Sequence, residues 1–402
     1  MSKALVFVLP SHGHIHPTLP VVQELIARGE EIVYYTTENF ASQVQATGAT
    51  VRLYDSNMPA LLESVAARIT NQTGIRPTVM PFFMLDEASH VLPQLLESVR
   101  AENADYIMYD AMCLWGKLLT KLLHLPAIIF QSTYATNENL SIHQLMTLHL
   151  SPPNPEMMES FQAKLADLET TYGISLPKNP YLLMAGTEPL NLTFLPRVFQ
   201  PHAELFDERF LFVGPSIATR NDAQKLHLVP TEKPLLFISL GTVFNNRAAF
   251  FRQCFQAFSQ QPLQVILACG SNVDLDSLGE IPANFQVRPY VPQLDVLRQT
   301  TVFITHGGMN STMEALYYGV PLVVIPQMVE QAMTAQRVSE LQLGLMLKPE
   351  QVTVEALQAA VQEILHNPSY KAHVTQMQAE IKQAGGYKRA VDAILALTHN
   401  KN

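Results

Sequence analysis

Two clusters in this chain have residue types and spacing that suit chemistry. The first lies between Val302 and Pro326, which reads VFITHGGMNSTMEALYYGVPLVVIP, the pattern of strand, turn, helix and strand. Gly307 and Gly308 let backbone approach a ligand closely, and the amides opening the next helix present partial positive charge. A diphosphate suits such a turn. Ser311 adds a hydroxyl donor, and Glu314, one turn on, is placed to accept hydrogen bonds from ribose hydroxyls. A glycine turn of any α/β protein is the plainer alternative, since short glycine motifs are common.

The second cluster is Ser11-His12-Gly13-His14-Ile15-His16-Pro17, after the first apolar run. Three readings stay open here. His12, His14 and His16 could bind a metal, aided by His306 and Asp110 at other strand ends. Alternatively one histidine is a general base oriented by Asp110, with Gly13 making the turn and Pro17 starting the helix. The third reading is a surface loop that happens to carry histidines. Asp274-Leu275-Asp276 has the spacing of a divalent-metal site on nucleotide sugars, but it sits between Gly270 and Gly279 and reads as a solvated loop. Neither GxGxxG nor GxxxxGKS/T is present, which disfavours dinucleotide oxidoreductases and P-loop kinases.

The elements that must hold these clusters alternate strand and helix. Ala4–Leu9, Ile32–Thr36, Tyr106–Tyr109 and Ala127–Phe130 read as buried strands, with helical stretches ending at Gly29 and running over Leu114–Leu123. Gly214–Pro234 is polar and irregular and reads as a linker. Beyond it Leu235–Leu240, Val265–Ala268, Phe285–Arg288, Val302–Thr305 and Leu322–Ile325 form a second set of strands. With 402 residues the chain exceeds the roughly 250–300 at which one core stops growing, so two doubly wound α/β domains are expected, facing each other across a cleft.

Composition narrows the partners. A net charge of −9 argues against nucleic acid or an anionic membrane surface. Cys113, Cys254 and Cys269 lack metal-ligand spacing and fit a reduced, cytoplasmic setting. No apolar run reaches the ~18 residues of a membrane span, and Ala4–Leu9 is too short for a signal-peptide core. From Met58 to Met184 there are nine methionines, interspersed with Phe82, Phe83, Trp115, Phe130 and Tyr134, a mixture suited to a wide apolar pocket or to core.

Tyr290-Val291-Pro292-Gln293, His306 through Ser311, Glu314, Gly319-Val320-Pro321 and Glu330-Gln331 together resemble the donor-binding signature of UDP-dependent glycosyltransferases of family one. Gly13-His14, Tyr109-Asp110, Phe212-Val213-Gly214-Pro215 and Ser239-Leu240-Gly241-Thr242 extend that likeness from end to end, and the whole is most similar to bacterial macrolide and flavonoid glycosyltransferases. The resemblance implies a GT-B fold: acceptor domain over 1–213, linker over 214–234, nucleotide-sugar domain over 235–380, and a final helix over 381–402 crossing back. It makes His14 the base and Asp110 its partner. It gives the diphosphate to His306, Gly308, Asn310, Ser311, Gly241 and Thr242, and the base to Tyr290 with the backbone at Val291 and Gln293. Glu314 takes the ribose, and Glu330 and Gln331 the sugar.

The activity so implied is inverting O-glycosyl transfer from UDP-glucose to a small apolar hydroxylated acceptor, with no metal and no cofactor, in a monomer. Gln331 favours an equatorial sugar hydroxyl by analogy with plant members. Tyr290 stands where the family often has tryptophan, and His16 where it often has asparagine. A nucleotide-sugar epimerase on the same plan and a metal-dependent hydrolase built on the histidine triplet are the alternatives.

Overall fold

A computed structural model describes residues 2–58, 60, 80–140, 142–145, 155–218, 232–241 and 247–399. The chain divides into two compact units, Met1–Ile217 with Ala384–Asn402, and Ala218–Gln383. Most of the polar stretch read as a linker, and Thr242, lie outside the described residues.

The first unit is built on β1 (Lys3–Phe7), β2 (Glu31–Thr36), β3 (Thr50–Leu53), β4 (Tyr106–Asp110), β5 (Ala127–Gln131), β6 (Leu190–Thr193) and β7 (Phe210–Phe212). All are parallel, in the order β3-β2-β1-β4-β5-β6-β7. Strand alternation divides β1 between two cores. Ala4 and Val6 face helix His12–Ala27 and the final helix Gly386–His399, while Leu5 and Phe7 face helices Met80–Ala101 and Leu114–Leu123. Because both faces are covered, central strands such as β1 and β5 are nearly continuous apolar runs.

The final helix belongs to this first unit. Its Ala390, Val391 and Ile394 are fully buried in the same core as Val21, Val22 and Leu25. Burial of a valine or isoleucine of this kind contributes roughly 1.5–3 kcal/mol. Polar contacts fix its two ends: the Gly386 amide donates to Val213 O at 2.7 Å, Arg28 pairs with Asp392, and His399 Nε2 lies 3.0 Å from the buried Glu30.

The second unit repeats the plan with β8 (Leu235–Ser239), β9 (Gln264–Ala268), β10 (Phe285–Arg288), β11 (Val302–Thr305), β12 (Leu322–Val324) and β13 (Gly344–Met346), parallel and ordered β10-β9-β8-β11-β12-β13. Strands β3, β6, β7 and β13 are additions to the sequence reading. They are three or four residues long, β3 is largely exposed, and β6 (LNLT) alternates apolar with polar residues. No described helix is long and apolar enough to cross a membrane.

The expected start of the first helix is corrected. Pro17 does not open it: the helix begins at His12, with the Ser11 carbonyl accepting from the amides of His14 and Ile15, and Pro17 and Pro20 both lie inside. The histidine cluster is therefore the first turn of a helix and not a loop.

Candidate functional site

Each sheet reverses its winding once, between β1 and β4 in the first unit and between β8 and β11 in the second. At such a switch point the chain leaves neighbouring strands in opposite directions and opens a crevice beyond their carboxyl ends. Both residue clusters are at these positions.

In the first unit, helical periodicity separates the histidines. His12 and His16, four apart, share one face, with Nδ1 and Nε2 3.3 Å apart, and His16 also meets Gln43 Oε1 at 3.3 Å. His14 points elsewhere, its Nδ1 2.8 Å from Oδ2 of Asp110, the last residue of β4. Asp110 is fully buried, and its carboxylate is saturated by design of the strand ends: Oδ1 accepts from the Met112 amide at 2.8 Å and Oδ2 also accepts from the Ser132 hydroxyl at 2.5 Å. A buried carboxylate fixed in this way sets the tautomer of His14, placing the proton on Nδ1 and leaving Nε2 as the basic nitrogen. The triplet thus does not act as one ligand set, and among the described residues no group of three or more His, Cys, Asp or Glu side chains is arranged to hold a metal ion.

A pocket of about 470 Å³, counting its solvent-open part, adjoins this pair. His14, Asp110, Met112, Gln131, Ser132, Tyr134, Tyr181 and Met184 are among its lining residues. The methionine and aromatic mixture seen in the sequence thus splits. Met112, Met184 and Tyr134 reach the pocket, whereas Phe82, Trp115 and Phe130 are buried in the two cores of the unit. Met146 lies outside the described residues.

In the second unit, close backbone approach is the theme. Gly241 follows β8 with φ +80°, and a Cβ there would stand 2.6 Å from the His306 ring. A Cβ on Gly308 would stand 2.5 Å from Nε2 of the same ring. The imidazole is thus held between two glycine backbones, and only glycine permits it. Burial pushes His306 down to about 4, so the ring is neutral at physiological pH, and its buried Nδ1 has no hydrogen-bond partner among the described residues. A buried nitrogen without a partner costs about 1–3 kcal/mol unless a ligand supplies one.

Beside it, helix Met309–Tyr317 starts at Gly308, with Asn310 and Ser311 half-buried in its first turn. Gln293 opens the short helix Gln293–Leu297, yet its side chain does not cap that helix. Its Nε2 donates to Glu314 Oε2 at 2.6 Å and to Ser311 Oγ at 3.2 Å. Glu314 is buried, and Gln293 holds its carboxylate in place. Tyr290 is 53% exposed at the end of the β10 loop, and the adjacent Val291 is buried. Gln331 Oε1 accepts from the amides of Gln327 and Met328 at 2.8 and 3.1 Å, capping helix Val329–Glu340, in which Glu330 is half-buried. Asp274 caps a short turn by accepting from the Asp276 amide at 3.1 Å, which accounts for that acidic pair. Sequence reading missed the Gln293–Glu314 and Ser132–Asp110 bonds, because no periodicity joins residues from separate loops.

The chain is similar to known proteins over most of its length. Residues 257–394 match the family described as erythromycin biosynthesis protein CIII-like, C-terminal domain. The NDP-glycosyltransferase YjiC of Bacillus subtilis is 39% identical over 96% of this chain and 95% of its own. Demethyllactenocin mycarosyltransferase of Streptomyces fradiae is 33% identical over 99% of this chain and 87% of its own. The crystal structure of CalG4, the calicheamicin glycosyltransferase, superimposes with a TM-score of 0.86 at 32% identity, covering 100% of this chain and 99% of that one.

Proposed function

Since this chain belongs to the bacterial family-one glycosyltransferases of GT-B fold, we propose that it transfers glucose from UDP-glucose to a hydroxyl of a small apolar acceptor such as a phenol, flavonoid or macrolide, with inversion. The observation that carries this reading is the His14–Asp110 pair, 2.8 Å apart beside a pocket lined by Met112, Met184 and Tyr134.

The chemistry follows from the atoms in place. An acceptor hydroxyl in the pocket gives its proton to His14 Nε2 as its oxygen bonds to the anomeric carbon. The bond from that carbon to the diphosphate oxygen breaks, and the electron pair leaves with the nucleotide. Asp110 stabilises the imidazolium formed, and positioned base catalysis of this kind contributes roughly 10² to 10⁴ in rate. Single displacement at the anomeric carbon inverts it.

Charge building on the leaving diphosphate is met by the amides opening helix Met309–Tyr317, by Asn310 and Ser311, and by His306 Nδ1, whose missing partner a phosphate oxygen would supply. Gly241 approaches the same group. Tyr290 offers its exposed ring to uracil, with the backbone at Val291 and Gln293 meeting the base edge. Glu314 receives the ribose hydroxyls, while Glu330 and the amide nitrogen of Gln331 receive the sugar. This set needs neither metal nor cofactor, and the free, buried cysteines suit a cytoplasmic enzyme.

The test mixes protein, UDP-glucose and a phenol panel and reads acceptors heavier by one hexose by mass spectrometry. His14→Ala should lower that product by roughly 10² to 10⁴, and chelator should leave it unchanged. Wild-type turnover in His14→Ala, or none on any acceptor with any UDP-sugar, defeats the proposal.

A further inference from the structure

One wall of the pocket beside His14 is a segment without regular structure. Met184 and Ala185 line it, and the chain from there to Pro189 forms neither helix nor strand. An irregular wall holds its shape only if something ties its backbone. Here the tie comes from Lys117 in helix Leu114–Leu123, whose ammonium donates to Leu183 O at 3.0 Å and to Ala185 O, on either side of Met184. Gly186 leaves room for it: a Cβ there would stand 3.0 Å from Nζ. A second tie lies further along, where the Tyr109 hydroxyl donates to Glu188 Oε1 at 2.8 Å and Asn191 exchanges bonds with the Glu188 backbone.

The placement of these ties is informative. Tyr109 immediately precedes Asp110 on β4, and Lys117 sits on the helix that follows the same strand, so the strand end that orients the base also anchors the wall. Lys117 is an expensive choice for a purely structural contact. Burial and the neighbouring Lys121 bring it down to about 8 against the opposing influence of Glu188 and Glu138, and among the described residues it forms no ion pair. An apolar side chain would fill the space without that cost. What an apolar side chain cannot do is hold two carbonyls at once.

We propose that Lys117 is a positioning residue for the acceptor wall, and that its bonds to the Leu183 and Ala185 carbonyls set how wide an acceptor the enzyme takes. The inference rests on the reading of this pocket as the acceptor site. Removing the clamp frees Met184 and Ala185 to move, so compact acceptors lose contacts while broad ones gain room.

Lys117→Met should raise KM for a single-ring phenol about tenfold, the scale of one lost apolar contact, and shift the kcat/KM ratio toward multi-ring acceptors by a similar factor. KM for UDP-glucose should stay within about twofold of wild type. Lys117→Arg, which keeps charge and donors, should recover the original ratio, and Gly186→Ala, which crowds the ammonium, should move it the same way by a smaller factor. If Lys117→Met fails to fold, Gly186→Ala carries the test alone. An unchanged ratio in the folded variants, or an equal change in donor KM, overturns the clamp. Calorimetric dissociation constants for the same phenols without donor give a readout that survives if transfer itself is not observed, so loss of the glycosyl-transfer reading and loss of the clamp are told apart.

Discussion

The two switch points share a topology and are furnished in opposite ways. In the first unit the crevice holds side chains: a buried carboxylate with three hydrogen bonds and a histidine that it orients. In the second the crevice holds backbone: glycines at 241 and 308 pressed against a neutral imidazole, and the open amides of a helix. The difference fits the task proposed for each. Moving a proton requires a group that changes charge, whereas receiving a diphosphate requires fixed dipoles that do not. Fold topology supplies the place, and local residue choice supplies the chemistry.

That division makes predictions that separate the two crevices. The largest effect is expected from His14→Ala, which should lower kcat by roughly 10² to 10⁴ while leaving the dissociation constant for UDP unchanged. If UDP binding weakened equally, the crevices would not be functionally distinct. Gly308→Ala comes next: with a Cβ 2.5 Å from His306 something must shift, and an overpacking cost of about 1–3 kcal/mol should appear as roughly five- to 150-fold weaker UDP binding by calorimetry, with acceptor binding intact.

Acidification tests the neutral imidazole. His306 is held at about 4 in the fold, below its unfolded value near 6.5. The unfolded chain therefore binds more protons between those limits, so the second unit should lose stability as pH falls from 6.5 to 4, by about 2–3 kcal/mol. His306→Asn should flatten that part of the stability curve in denaturant titrations. The smallest effect is expected from Gln293→Ala, which strips a hydrogen bond from buried Glu314. A cost of about 1–2 kcal/mol should lower the melting temperature and weaken uridine nucleotide binding, with His14-dependent chemistry unchanged once donor saturates.

Legibility in the sequence followed the same line. Buried parallel strands such as AIIFQ and QVILA announce themselves because both faces are covered, and their ends located His14, Asp110, Gly241 and His306. Two edge strands did not: TVRL of β3 is mostly exposed, and GLM of β13 starts at Gly344, where any Cβ would collide with the Leu322 carbonyl. Pro17 misled because proline favours a first helical turn, yet the turn before it already closes on the Ser11 carbonyl. The bonds Ser132–Asp110, Gln293–Glu314 and Lys117 to the pocket wall were hidden for another reason. A lysine on an amphipathic helix reads as solvated, and only tertiary placement turns it inward.

The return of helix Gly386–His399 to the first unit also has a temporal meaning. Val21, Val22 and Leu25 face a partner that leaves the ribosome only after the whole of the second unit, a delay of roughly ten to thirty seconds at ordinary synthesis rates. During that interval the nascent first unit exposes an apolar face that its own sequence cannot yet cover. Birth order and assembly order are thereby inverted, and the half of the enzyme made first is the last to be finished.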